Sequence, residues 1–259
     1  MALIEVKKHA PSGTIILNRP AKRNALTRQL LEELHQAFTD LHQEKQVRAI
    51  ILTGAGSAFC AGMDLVEMKE TSLSDDAQQR WYDDAVQYQD LLELMLRFPK
   101  PIIAAVNGPA IAGGAGLLLA ADLVIASHAA VLGLPEPRRG IVAGVVSPLL
   151  AFRVGGAQAA RLLLTAENIS AAEAHRIGLF HELVESDNVW ARAHALAGEV
   201  AKSAPQALQL TKRMLNETIG ESLFTQLAAG AAASATARTT DAAAEGLAAF
   251  LEKREPQWP

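Results

Sequence analysis

Ala58-Phe59-Cys60-Ala61-Gly62-Met63-Asp64 and Asn107-Gly108-Pro109-Ala110-Ile111-Ala112-Gly113-Gly114-Ala115-Gly116 decide how this chain is read. Each follows an apolar, strand-like run, Ala49-Ile50-Ile51-Leu52-Thr53 before the first and Ile102-Ile103-Ala104-Ala105-Val106 before the second. Both turns therefore fall where strands end and helices begin, the edge of an α/β sheet that ligands favour. Together they could aim two free backbone N–H groups at one developing oxyanion. The run Gly113 to Gly116 also introduces a small-residue helix, Leu117 to Ala121, whose N-terminal amides favour negative charge. A purely structural reading stays open, because glycines also let a helix and a strand pack closely.

Outward from these turns, residues 3–7 and 13–17 read as two strands joined by Pro11-Ser12-Gly13. Leu30, Leu31, Leu34, Ala37, Phe38 and Leu41 then recur at helical spacing, with Thr27 as the cap. A strand at 49–53, a helix within 76–97, and strands at 102–106 and Leu123–Ala126 continue the alternation, which predicts βαβ units and a mainly parallel sheet. Beyond residue 148 the pattern turns helical. Ser170-Ala171-Ala172-Glu173 reads as a capping box, Gly178 as that helix's C-cap, and Leu179–Val184 as one more strand. The last sixty residues carry no strand signal. Gln226 to Ala249 is alanine-rich and would bury little surface alone, as either a tail lying on a neighbouring subunit or an ordinary surface helix.

At 259 residues and 50% hydrophobic content, the chain suits one large domain or a domain with a terminal extension. A net charge of −4 with no aromatic-basic interleaving argues against nucleic acid as a partner. The single cysteine, Cys60, excludes an intramolecular disulfide, and the start Met-Ala-Leu-Ile-Glu-Val-Lys-Lys lacks the order of a signal peptide, so a cytoplasmic location is expected. Gly113, Gly114, Gly116 and Asp122 interrupt the apolar run from Ala110 to Ala126 before the roughly 20 residues a membrane span needs. That run is expected to be buried, with no membrane partner. The seven histidines form no His-x-x-x-His pair, so no metal site is expected, and no Gly-x-Ser-x-Gly elbow marks a serine nucleophile. Gly54-Ala55-Gly56-Ser57-Ala58-Phe59 opens like a dinucleotide fingerprint but lacks its third glycine. Cys60 reads first as a small packing residue, since a reactive thiol needs a neighbouring base or cation.

Glu136 stands apart in Leu134-Pro135-Glu136-Pro137-Arg138-Arg139-Gly140, where burial would raise a carboxyl into the range useful for proton transfer. The alternative is a surface glutamate paired with Arg138 or Arg139.

Taken in order, Leu17-Asn18-Arg19-Pro20 with Arg23-Asn24-Ala25-Leu26, Ala58 to Leu65, Pro101 to Gly108, Pro135-Glu136 and Phe250-Leu251-Glu252-Lys253-Arg254 resemble the crotonase superfamily, the enoyl-CoA hydratase/isomerase family. The likeness covers essentially the whole chain. It implies an α/β crotonase fold of repeated ββα units, with a core over residues 1–195 and a helical C-terminal region over 196–259 that builds homotrimers or dimers of trimers. It also implies acyl-CoA thioesters as ligands, with no cofactor beyond the coenzyme A that the substrate carries.

By the same resemblance, the catalytic set comprises the oxyanion-hole amides of Met63 and Gly113 and the acid/base Glu136. Lys22, Arg23 and Ala25 would cradle the CoA nucleotide, a cation meeting phosphate. Ala61, Asp64, Leu65 and Gly114 would line the path of its pantetheine and adenine, and Phe250 and Lys253 would reach the CoA of an adjacent subunit. Helix packing and a solvated charge are the plain reading of that last pair. Well-studied hydratases place one glutamate where this chain has Gly116 and another at Glu136, so only the second survives. Water addition to a 2-enoyl-CoA by Glu136 alone, 3-enoyl to 2-enoyl isomerisation by Glu136 alone, and non-catalytic acyl-CoA binding are the readings this leaves. Arg138 or Arg139 could face a second carboxylate on the acyl group. Trp81, Met68 and Met95 fit an acyl tunnel or plain core packing.

Overall fold

A computed structural model describes residues 2–258. The strands are β1 (Ile4–His9), β2 (Ser12–Leu17), β3 (Ala49–Gly54), β4 (Ile102–Val106), β5 (Ala110–Ile111), β6 (Leu123–Ser127), β7 (Val131–Gly133), β8 (Asn168–Ser170) and β9 (Glu182–Val184). The α-helices are α1 (Arg28–Gln43), α2 (Leu65–Ser72), α3 (Ala77–Arg97), α4 (Gly113–Ala120), α5 (Val146–Thr165), α6 (Ala171–Arg176), α7 (Val189–Val200), α8 (Pro205–Arg213), α9 (Glu221–Ala237) and α10 (Asp241–Glu252). Repeated strand-strand-helix order is visible in β1-β2-α1 and β4-β5-α4.

Six strands form one sheet in the order β1-β2-β3-β4-β6-β9, antiparallel only between β1 and β2, and β5, β7 and β8 form a smaller mixed sheet. The central strands read as unbroken apolar runs because both faces are covered. Ile50, Leu52, Ile102, Ala104 and Val106 point into the main core with α1, α3 and α4. Ala49, Ile51, Ile103, Ala105 and Ile125 meet Val189, Ala193 and Ala197 of α7 on the other face. The expected boundary after residue 195 therefore falls inside α7, a helix that covers the sheet.

All six apolar positions expected on the first helix are buried on α1, and the Thr27 side chain accepts from the Leu30 amide as its cap. Ser170 caps α6 through the Glu173 amide, but the Glu173 carboxylate turns to Arg161 and Arg176, leaving half a capping box. Gly178, at φ 85°, lies one residue past the cap of α6. There the amides of Leu179 and Phe180 close onto the Ala174 carbonyl, so the strand expected over 179–184 shortens to β9. The helix expected from Leu117 begins at Gly113 instead.

The alanine-rich tail packs on its own chain. A Cβ on Gly246 of α10 would lie 2.3 Å from the Arg139 carbonyl carbon, and one on Gly230 of α9 would lie 2.2 Å from the Gly144 carbonyl oxygen. Small residues let both helices press on the loop that carries Glu136. Among the described residues, no helix is long and apolar enough to cross a membrane and no metal-ligand cluster occurs.

Candidate active site

The first turn is built around a buried amide. Asn24 Nδ2 donates to the carbonyls of Ala55, Ala58 and Phe59, while its Oδ1 accepts from the Arg19 amide. From the other side, Asn107 Nδ2 donates to Gly56 O and its Oδ1 accepts from the Gly54 amide. These bonds satisfy a loop that leaves the sheet without regular partners of its own. Cys60 is fully buried within it; its thiol donates to the Asn24 carbonyl, and burial pushes its pKa up to about 12. It is an inert packing residue.

Met63 owes its free amide to strand geometry. A parallel bridge pairs Leu26 with Met63: the Leu26 amide donates to Gly62 O, and the Asp64 amide donates to Leu26 O. Successive peptide units in an extended chain face opposite ways, so the Met63 amide points away from Leu26. Gly113 opens α4, where the first helical amides lack intrahelical acceptors. Among the described residues, neither amide donates to the protein. Contact between the turns brings the two together: Gly62 has φ 86°, and a Cβ there would lie 2.8 Å from the Ala112 Cβ and 3.0 Å from the Gly113 nitrogen. Ala112 itself is held at φ 54°, ψ −124°, a region non-glycine residues seldom adopt. A Cβ on Gly114 would meet Cys60 O at 2.2 Å, so a glycine there lets the two turns approach.

Glu136 begins a 3-10 turn, Glu136–Arg139, closed by Gly140 at φ 67°. Its side chain is buried, Oε2 has no partner among the described residues, and burial raises its pKa to about 7 despite the lowering influence of its own backbone amide and Arg139. It pairs with neither neighbouring arginine. Arg138 donates to Thr165 O at the surface, and Arg139 lies over the Phe250 ring at 4.4 Å.

One chamber brings Met63, Gly113 and Glu136 together with Ala61, Leu65, Met68 and Tyr88. The sequence did not single out Tyr88. Its buried hydroxyl donates to the Gly113 carbonyl and stands where a Gly116 side chain would begin. Asp84 also lines the chamber, but Arg28 holds it through two hydrogen bonds.

Of the residues expected at coenzyme A, Lys22 and Arg23 are exposed, and Ala25 is buried between them and the Leu26 bridge. The Ala61 amide donates to Arg23 O, tying that segment to the first turn. Asp64 caps α2 and pairs with Arg19 at 2.5 Å. Burial pushes its carboxyl up, but the bonds from Arg19 and the α2 amides outweigh that and hold it below its ordinary value. Phe250 lies on its own chain's Arg139, and Lys253 is exposed in a left-handed C-cap of α10. Met68 lines the chamber and Trp81 the space beside it, whereas Met95 is fully buried core and lines neither.

The model of the enoyl-CoA hydratase/isomerase family matches residues 9–259. A Thermus thermophilus protein provisionally named an enoyl-CoA hydratase is 40% identical over 99% of this chain and 100% of its own. The short-chain-enoyl-CoA hydratase of Clostridium acetobutylicum is 34% identical over 96% of this chain and 95% of its own. Among solved structures, an enoyl-CoA hydratase/isomerase from Xanthobacter autotrophicus Py2 superposes with a TM-score of 0.89 at 30% identity, over 100% of this chain and 99% of that one. The two sheets, the C-terminal helices and these likenesses agree: the fold is the α/β crotonase fold, and the chain belongs to the enoyl-CoA hydratase/isomerase family.

Proposed function

We propose that the protein adds water across the C=C bond of a 2-enoyl-CoA thioester. The observation that carries this reading is one chamber holding two unspent amides, Met63 and Gly113, beside a buried carboxyl with a pKa of about 7. The thioester carbonyl accepts from both amides. As water attacks Cβ, electrons move from the C=C bond onto the carbonyl oxygen, and the two N–H groups hold the enolate charge; each is worth roughly 3 to 4 kcal/mol to the transition state. Ionised Glu136 takes a proton from the attacking water and, once protonated, returns it to Cα. Two bonds form, O–Cβ and H–Cα, and the carboxylate is regenerated.

Lys22 and Arg23 would meet the phosphates of coenzyme A, with Ala25, Ala61, Asp64, Leu65 and Gly114 along its path. The helical region 196–259 would build a homotrimer or a dimer of trimers, in a cytoplasmic enzyme.

The Tyr88 hydroxyl at Gly116 favours a second reading. With Glu136 the only carboxyl among the described residues that lines the chamber and that no arginine holds, the site also suits moving a double bond, taking a proton from Cα of a 3-enoyl-CoA and returning it two carbons away. The test is turnover of a short 2-enoyl-CoA beside its 3-enoyl isomer, read by the ultraviolet absorbance of the conjugated thioester and by product mass. Loss of absorbance with gain of one water supports the hydratase. Gain of absorbance from the 3-enoyl substrate at constant mass supports the isomerase, and inertness toward both, and toward branched and carboxylate-ended pairs as well, refutes the two together.

A further inference from the structure

A chamber for a methyl-ended acyl chain needs only apolar walls and a few polar groups; here the walls include two cations that no anion hydrogen-bonds among the described residues. Arg139 and Arg238, the C-cap of α9, both line the chamber of Met63, Gly113 and Glu136. Both also line an adjoining space walled by Leu65, Met68, Trp81 and Leu247. Each is partly buried, and burial pulls both guanidiniums below their ordinary pKa. Arg139 has the Phe250 ring, and Arg238 has the field of Asp84, a carboxylate that Arg28 already grips through two hydrogen bonds. Neither side chain has a hydrogen-bond acceptor or an ion-pair partner among the described residues. In contrast, Arg153 spends its guanidinium on the Leu119 and Ala121 carbonyls.

The remaining charged groups leave the imbalance in place. Glu136 attracts Arg139 but leaves Oε2 unpartnered among the described residues, Glu67 pairs with Arg28 at 3.8 Å, and Lys69, lining the adjoining space, adds a further positive charge. The buried Trp81 Nε1 also has no acceptor among the described residues. Partly buried cations without a directly bonded anion are costly, so the group this arrangement lacks is an acceptor-rich anion.

We propose that Arg139 and Arg238 bind a second carboxylate at the far end of the acyl chain, so that the thioesters this site selects are those of dicarboxylic acids. The inference rests on the reading that the chamber takes an acyl-CoA thioester. With the thioester carbonyl on the Met63 and Gly113 amides, the chain passes Glu136 and reaches Arg139 three residues along the same turn. Planar guanidinium forks match a carboxylate bidentately.

The test measures binding of saturated acyl-CoA thioesters of increasing length, each methyl-ended and carboxylate-ended, together with free coenzyme A. At one length the carboxylate-ended form is expected to bind about 10- to 100-fold tighter, the range of charge-assisted hydrogen bonds. In R139M and in R238M that preference falls toward one. No preference at any length in the wild-type protein overturns the proposal, and this comparison needs no variant to fold. Equal weakening of both forms and of free coenzyme A in the variants assigns the arginines to the phosphates of coenzyme A and overturns it too. Turnover of the matching 2-enoyl thioesters is read separately: a retained binding preference without water addition contradicts the hydratase reading alone.

Discussion

The Tyr88 hydroxyl occupies the space that any side chain at position 116 would need: a Cβ built on Gly116 lies 2.0 Å from it and 3.0 Å from Val146 Cγ2. The absent glutamate and the tyrosine are therefore two sides of one packing choice. G116A should destabilise the fold by about 1–3 kcal/mol through overpacking, and Y88F by about 1 kcal/mol through its lost bond to Gly113 O. Because phenylalanine removes the clashing atom, the double variant should be more stable than the sum of the two costs, as read by denaturant unfolding. Additive costs would show that the hydroxyl does not fill that space.

The buried Glu136 carboxyl gives stability a pH dependence. Its folded pKa, about 7, lies above its ordinary value of 4.5. Between those values the native state holds a proton that the unfolded chain has lost, so stability falls as pH rises through this window. The full penalty, on the order of 3 kcal/mol, is reached above about pH 7. E136Q should therefore melt higher than wild type at pH 8, with the gap closing below pH 5. A gap independent of pH contradicts the assignment.

Catalytic pH dependence follows from the same group. Since Glu136 must be ionised to accept the proton of water, kcat/KM should rise with pH through about 7. A flat profile across that range would mean that another group moves the proton.

Gly62 sets the distance between the two turns. G62A would bring a methyl group to 2.8 Å from the Ala112 Cβ at a left-handed φ of 86°, pushing the Met63 and Gly113 amides apart. We expect kcat to fall by about 10²- to 10³-fold, the cost of one misplaced oxyanion donor. Full activity in G62A would show that the amides tolerate the displacement.

N24A strands the carbonyls of Ala55, Ala58 and Phe59 and the Arg19 amide. Unfolding in denaturant should show a loss of at least about 2 kcal/mol, since each buried group left unpaired costs about 1–3 kcal/mol.

How far the sequence carries the site depends on what each residue answers to. The strands beneath the turns were legible as short unbroken apolar runs, and the buried face of α1 through a period of 3.6, because both patterns are written into the apolar residues themselves. The glycine turns were legible through backbone demands local to each motif. Asn24 was visible in a motif, yet its clamp on Ala55, Ala58 and Phe59 needs partners more than thirty residues away. Tyr88 reads as an ordinary buried position of a long amphipathic helix, and Arg238 as a lone cation in an alanine-rich tail. Their places at the chamber come from the packing of α3 and α9, which no local signal encodes. Local signal also misled at Leu179, where an apolar run continues while its amides close the preceding helix.

Turnover of a 2-enoyl-CoA by E136Q, measured beside the binding of the corresponding saturated thioester, tests the central claim most directly. The account predicts unchanged binding and a loss of at least about 10²- to 10⁴-fold in the rate of water addition, the contribution of a positioned acid/base. Wild-type turnover in E136Q would contradict it.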